Sequence, residues 1–438
     1  MTRFPWFLVL IAWMCVVTVA GAATSLETAR FLTTRGGIRV YLVENHANPM
    51  VELNLLTRGG SVFDPRGREG VAYLTAWMFN EGAGSMDSEA FRDRLDELGI
   101  RMDGNANRDT LEVSMTTLSL HLEEALRLLS LAVLEPRHDV RDFERARQET
   151  VVALRQKRED ADWLAGERLY AMMYAGHPYA HPPMGYEESQ ARITLNDVRR
   201  FHVLSFRAPQ MVIAVAGDVT EETLGPLLER HFGGVDVRPS LHGAIPETGT
   251  LASGGTVHLE MDSPQTAIQM GMIAMDREDA DYYPMVVLNQ ILGGPGLTSR
   301  LNEEIREKRG LTYGIHSHFA PLEKRGPLTI SMKTRTEATA QSIGLIHEAM
   351  RLLAREGGDA DELSDVKRYL VESFALNLDT LKKQAATWSL VGYYRRGIDY
   401  LRRWPERIEA VGREDIQRVA RRVLDPERYA TVTVGRKN

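Results

Sequence analysis

The chain has 438 residues, 53 Lys and Arg against 60 Asp and Glu, and a formal net charge of −7. At 43% hydrophobic and 26% charged it has the composition of a folded globular protein, long enough for two or three domains. The two signs of charge are interspersed and there is no basic run, which argues against a nucleic-acid surface.

The chain opens "MTRFPWFLVLIAWMCVVTVAGAATSLE". A basic start at Arg3, an apolar stretch and small residues at Ala20 to Ala22 form the pattern of a secretory signal, residues 1–22. This predicts export to the periplasm. The apolar run approaches spanning length, so an uncleaved inner-membrane anchor is the alternative. Trp13 and Met14 before Cys15 are too bulky for lipoprotein processing. Cys15 is the one cysteine and lies within the signal. The mature chain is therefore expected to have no disulfide, cysteine-based zinc site or cysteine nucleophile.

"GIRVYLVENHANPMVELNLLTRGG" carries two alternating, strand-like runs around a turn at Asn45 to Pro49. A helix follows from about Gly70. "SEAFRDRLDELGIRM" predicts a second, capped by Ser88 and ended at Gly99. "TLEVSMTTL" alternates as a strand, and helical patterns run through "SLHLEEALRLLSLAVLEP" and "DVRDFERARQETVVALRQKREDADWLAGERLYAMMY". "QMVIAVAGDV" reads as a buried strand. A Pro/Gly-rich stretch, 239–254, is the predicted linker.

Beyond it the order recurs. "TVHLEM" and "TAIQMGMIAM" are strands, "YYPMVVLNQILGG" a helix, "TSRLNEEIREKRG" a helix, "GPLTISMKT" a strand and "TAQSIGLIHEAMRLLAREGG" a helix. The halves also end alike. "LNDVRRFHVLSFRAPQMVIAVAGDV" matches "REDIQRVARRVLDPERYATVTVGRK" in its acidic helix start, proline (Pro209, Pro426), apolar strand and glycine (Gly217, Gly435). The expected fold is α+β: two homologous domains, 25–238 and 255–438, each a mostly antiparallel sheet packed with helices.

This organisation resembles the insulinase/pitrilysin family, the inverted zincins with an H-x-x-E-H helix, from about Leu32 to the C-terminus. "EGVAYLTAWMFNEGAG" keeps Gly70, Ala72 and Gly82 of the motif's surroundings. It replaces the first His, the Glu and the second His by Tyr73, Ala76 and Trp77. Positions i, i+3 and i+4 share a helix face, where two imidazoles would bind zinc and the carboxylate would take a proton from metal-bound water. Alanine does neither, and an indole has only an N–H donor. The family's third ligand, a later Glu, falls on Ala153 of "FERARQETVVALRQ". Tyr73 and Trp77 are expected to fill the ligand cavity with aromatic bulk.

The resemblance implies further site residues. "ILGGPGLTSRLNEEIREKRGLTYGIHSHF" matches the family's C-terminal Gly-rich turn and Arg/Tyr segment, with Arg306 and Tyr313 at the Arg and Tyr. Such donors hold a substrate carbonyl and the oxyanion developing from it. Gly293, Gly294 and Gly296 resemble a substrate-contacting loop of noncatalytic processing-peptidase subunits; a helix cap and turn is the plainer alternative. Asn105 and Ala106 of "GNANRDTLEVSM" match the family's substrate-pairing edge strand. His177 and His181 of "HPYAHPP" read as structural, because the prolines exclude a helix that would align them. His316 and His318 alternate on a strand with no carboxylate pattern beside them.

The implied protein is the noncatalytic subunit of a periplasmic peptidase. It carries no cofactor, pairs with an H-x-x-E-H homologue that holds the zinc, binds peptide, and supplies Arg306 and Tyr313 in trans. The alternative is a peptide-binding scaffold subunit with no catalytic contribution.

Overall fold

The computed structural model describes residues 29–239, 242–249, 254–296 and 298–437. The predicted signal lies outside the described residues. Among those residues no helix is long and apolar enough to cross a membrane.

The first half runs β1 (Ala29–Thr33), β2 (Arg39–Glu44), β3 (Met50–Arg58), α1 (Val71–Trp77), α2 (Ser88–Glu97), β4 (Arg101–Ala106) and β5 (Thr110–Leu118). It continues through α3 (Leu122–Leu134), α4 (Val140–Lys157), α5 (Ala161–Met173), α6 (Leu195–Ser205), β6 (Val212–Gly217) and α7 (Glu221–Phe232). The second half runs β7 (Thr256–Glu260), β8 (Gln265–Ile273), α8 (Tyr282–Gly293), β9 (Ile315–Phe319), β10 (Pro327–Arg335) and α9 (Thr339–Glu356). It ends with α10 (Ala360–Phe374), α11 (Leu381–Tyr393), α12 (Tyr400–Glu409), α13 (Arg413–Val423) and β11 (Ala430–Gly435).

The first sheet has the order β1-β2-β6-β3-β5-β4 and the second β7-β11-β8-β10-β9. Apart from the added β1, the two orders superimpose strand for strand. In each, one pair is parallel, β2 with β6 and β7 with β11, and the rest are antiparallel. The expected pair of mostly antiparallel sheets is present. The runs flanking Asn45 to Pro49 do not pair with each other, because the last strand of the half, β6, lies between β2 and β3. All six residues of β6, and of its counterpart β11, are buried, as a central strand covered on both faces requires.

The halves are contiguous in sequence but exchange a helix. Helix α5 leaves the first half and packs on β8 and β11, where Ala165, Leu169 and Met173 meet Ala267, Ile273, Ala430 and Val432. Helix α11 returns the exchange onto β2, β3 and β6, where Trp388 and Val391 meet Tyr41, Val212 and Ala214. Each sheet thus buries its second face under a helix of the other half. The 239–254 stretch also contributes to this interface, since Ile245 is buried in the α5 cluster.

Two helix ends differ from their sequence assignment. The N-cap of α2 is Asp87, whose Oδ1 accepts the Ala90 N–H at 3.0 Å, and Ser88 is the first helical residue. A carboxylate at this position answers a free N–H and the helix dipole together. Asn302–Glu307 is a π-helical turn rather than an α-helix; the Lys308 N–H reaches five residues back to Glu303 O at 3.0 Å. Such turns recur at functional sites.

Candidate functional site

Helix α1 is fixed from its N-terminal end. Asp64 accepts the N–H groups of Gly70 (2.7 Å) and Ala72 (2.8 Å) on its two carboxylate oxygens. Burial lifts its pKa well above the usual carboxylate range, against those two bonds. At the other end, α1 lies against β4. A Cβ on Gly104 would fall 2.1 Å from Ala76 O, so only glycine lets the helix approach this closely.

The four positions of the zinc motif carry no ligand set. Ala76 is 2% exposed and packs in the first core. Tyr73 and Trp77 are half-buried, as is Ala153 on α4. Trp77 therefore does not disappear into a filled cavity. One side meets the core, and the guanidinium carbon of Arg145 lies 5.5 Å from its ring centre. Arg145 also pairs with buried Glu81 and with Asp142. Burial raises the Glu81 pKa even though Arg145 and Arg92 favour its charged form. Two methyl groups, an indole and a lone phenol do not fit zinc. Among the described residues no group of three or more His, Cys, Asp or Glu could hold a metal.

Beside α1, β4 is the terminal strand of its sheet, hydrogen-bonded to β5 along one side. Asn105 is exposed on it and Ala106 points into the core. The edge has the geometry that accepts an extended peptide by main-chain pairing.

In the second half Tyr313 stands 92% exposed, with no hydrogen bond from its hydroxyl among the described residues. It borders a cavity of about 410 Å³ shared with Gln265, Gln269, His316, Lys333 and Asp162. Arg306 is not on that wall. It sits in the π-helical turn, 3.2 Å from Glu307. Gln265, Gln269 and Lys333 are site neighbours that the local sequence does not announce; alternation along β8 puts the two glutamines on one face.

The glycine turn is built as a helix end. Gly293 closes α8 where a Cβ would meet Ser317 N of β9 at 2.7 Å. Gly294 is the cap, and Gly296 has φ of 109°. Gln290 Nε2 donates to Pro295 O at 2.7 Å and Asn302 Nδ2 to Gly296 O at 3.3 Å, pinning the turn from both sides. His177 accepts the Tyr179 N–H at 3.0 Å, while His181 Nδ1 lies 3.0 Å from Pro182 O and 3.9 Å from Asp64. His316 and His318 occupy the exposed positions of β9.

A further polar centre ties the halves together. Buried Asp109, in the turn before β5, accepts Tyr179 Oη at 2.5 Å, the Glu323 N–H at 2.7 Å and Tyr394 Oη at 3.1 Å. Tyr393 Oη lies 3.0 Å from Glu323 Oε2.

Two repeated sheets exchanging a helix, with a ligand-free motif helix against an edge strand, define a metallopeptidase-type fold without its zinc ligands. The chain belongs to the insulinase family, peptidase family M16. Residues 39–186 match the insulinase (peptidase family M16) description and residues 192–370 the peptidase M16 inactive domain. Among similar proteins is a "non-peptidase homolog" of Helicobacter pylori, 25% identical over 80% of this chain and 81% of its own. An "uncharacterized zinc protease" of Mycobacterium leprae is 26% identical over 94% and 93%. The crystal structure of a peptidase M16 inactive domain from Pseudomonas fluorescens matches with a TM-score of 0.88 at 29% identity, covering 94% of this chain and 98% of that one.

Proposed function

We propose that the chain is the noncatalytic subunit of an exported zinc metallopeptidase. It pairs with a homologue bearing H-x-x-E-H, lays peptide along the β4 edge, and presents Tyr313 and Arg306 to the partner's active site. The observation that carries this reading is the contrast between the halves. The motif helix has no set of groups that could hold zinc, while Tyr313 projects beside a cavity with its hydroxyl unengaged among the described residues. The printed name of the Helicobacter relative, a non-peptidase homolog, supports the noncatalytic part. Periplasmic placement rests on the N-terminal signal pattern, and zinc belongs to the partner.

Arg306 does not line the Tyr313 cavity, which favours a second reading, a peptide-binding scaffold with no catalytic contribution. One reconstitution tests the proposal. The purified chain is assayed for zinc and peptide cleavage alone, then mixed with an H-x-x-E-H homologue and assayed again after sizing. No zinc and no cleavage alone, with gain of cleavage in a one-to-one complex, is expected. Stoichiometric zinc in the isolated chain, or a homologue that neither binds it nor gains activity, overturns the proposal.

A further inference from the structure

Between the two halves, away from α1 and Tyr313, opens a cavity of about 340 Å³ with four arginines on its wall. Arg39 and Arg58 come from β2 and β3 of the first half, Arg277 and Arg395 from the second. The wall also carries three carboxylates, of which Glu323 and Glu278 are paired with arginines and Asp276 is not. Glu323 meets Arg58 at 3.3 Å and Tyr393 at 3.0 Å. Glu278 pairs with Arg396, and Asp276 accepts the Glu278 N–H at 2.9 Å.

That leaves Arg39, Arg277 and Arg395 with no ion pair among the described residues. Arg39 donates one Nη to Gly392 O, and its buried Nε has no protein partner. Arg277 stacks over Tyr394 at 4.3 Å and reaches Tyr282 Oη at 3.4 Å, and its buried Nε is likewise unpartnered. Arg39 and Arg277 are half-buried and Arg395 exposed, and a half-buried guanidinium without an ion pair gains from an added anion. Consistently, burial and then the neighbouring Arg395 hold Arg39 below its ordinary pKa.

The backbone under Arg395 is a second, independent sign. Helix α11 ends with the Arg396 N–H on Val391 O (3.0 Å) and the Arg395 N–H on Gly392 O (3.1 Å). This is the Schellman end, whose left-handed residue is usually glycine. Helix α2 ends the same way and has Gly99 there, at φ 62°. At α11 the residue is Arg395, at φ 52°. A side chain in that region is disfavoured, and such strain gathers at functional sites.

We propose that this cavity is a binding site for a small oxyanion, the phosphate or carboxylate of a small molecule, held by Arg39, Arg277 and Arg395 and bridging the two halves. Guanidinium groups match both oxyanions through paired, charge-assisted hydrogen bonds. A ligand held by both halves of the native state raises the unfolding temperature by mass action.

The experiment is thermal unfolding of the full chain with sodium phosphate or sodium citrate against sodium chloride at matched ionic strength. The two salts distinguish phosphoryl from carboxylate recognition. Arg395→Gly and Arg39→Gln are run in parallel, because general salting-in and salting-out effects persist in the variants. The expected result is a saturable, anion-specific rise in Tm for the parent that both variants lose. In chloride, Arg395→Gly should match or exceed the parent, since glycine relieves the left-handed position. The proposal is overturned if the parent shows no saturable rise with either salt, or the variants keep it. It is equally overturned if Arg395→Gly lowers Tm in chloride, which would make Arg395 part of the fold.

Discussion

Arg145 stacks on Trp77, with its guanidinium carbon 5.5 Å from the ring centre. The indole of Trp77 is therefore half-buried between core and cation. Removing a fully buried Trp costs about 3–5 kcal/mol. Here part of the ring is already in water, and an exposed cation–π contact adds only about 0.5–1 kcal/mol. Trp77→Ala is expected to cost about 1–2 kcal/mol in urea unfolding. A loss above about 4 kcal/mol would place Trp77 in the interior after all.

The Asp109 centre holds the two halves by a carboxylate that only accepts. Its oxygens receive Tyr179, Tyr394 and the Glu323 N–H. Asp109→Asn keeps the shape but turns one acceptor into a donor facing donors. It is expected to cost about 2–3 kcal/mol, because buried donors lose their partner. A loss under about 0.5 kcal/mol, measured by denaturant unfolding, would show the contacts are not needed.

Burial holds His138 at about 3, and His202 and His242 at about 4, against an ordinary 6.5. The unfolded chain therefore takes up protons below pH 6.5 that the native state refuses. Stability is fully present above that value and falls as pH drops toward about 4. Each such proton contributes at most about 1.4 kcal/mol per pH unit. His138→Asn suits the left-handed backbone there, at φ 50°, and removes one titrating ring. Its stability should fall less steeply between pH 6.5 and 4.5 than the parent's. Parallel Tm profiles for the two proteins would contradict this.

The twofold repeat was legible because helix starts, prolines and apolar strands recur in order, and the two sheets follow that order strand for strand. The insertion of β6 between β2 and β3 was not, since a central strand and a neighbour are equally apolar and pairing is non-local. Nor was the helix exchange: α5 and α11 are apolar enough for a sheet, but nothing local names which sheet. The loss of the zinc ligands is read directly from residue types at Tyr73, Ala76, Trp77 and Ala153. How deep Trp77 lies depends on Arg145, 68 residues later, and needed the structure. Asp109 sits in a polar turn, "NRDT", that reads as solvated; only the fold brings Tyr179, Glu323 and Tyr394 to it.

The central claim is that this chain lends a group to another subunit's chemistry, and Tyr313 tests it most directly. Tyr313→Phe removes one hydroxyl from a side chain that is 92% exposed, so folding and assembly should be untouched. The measurement is kcat for peptide cleavage by the sized complex with an H-x-x-E-H homologue, for parent and variant. If the hydroxyl stabilises the developing oxyanion, kcat falls about 10²–10³-fold while the complex persists. Unchanged turnover in a fully assembled Tyr313→Phe complex would contradict the account and leave a scaffold.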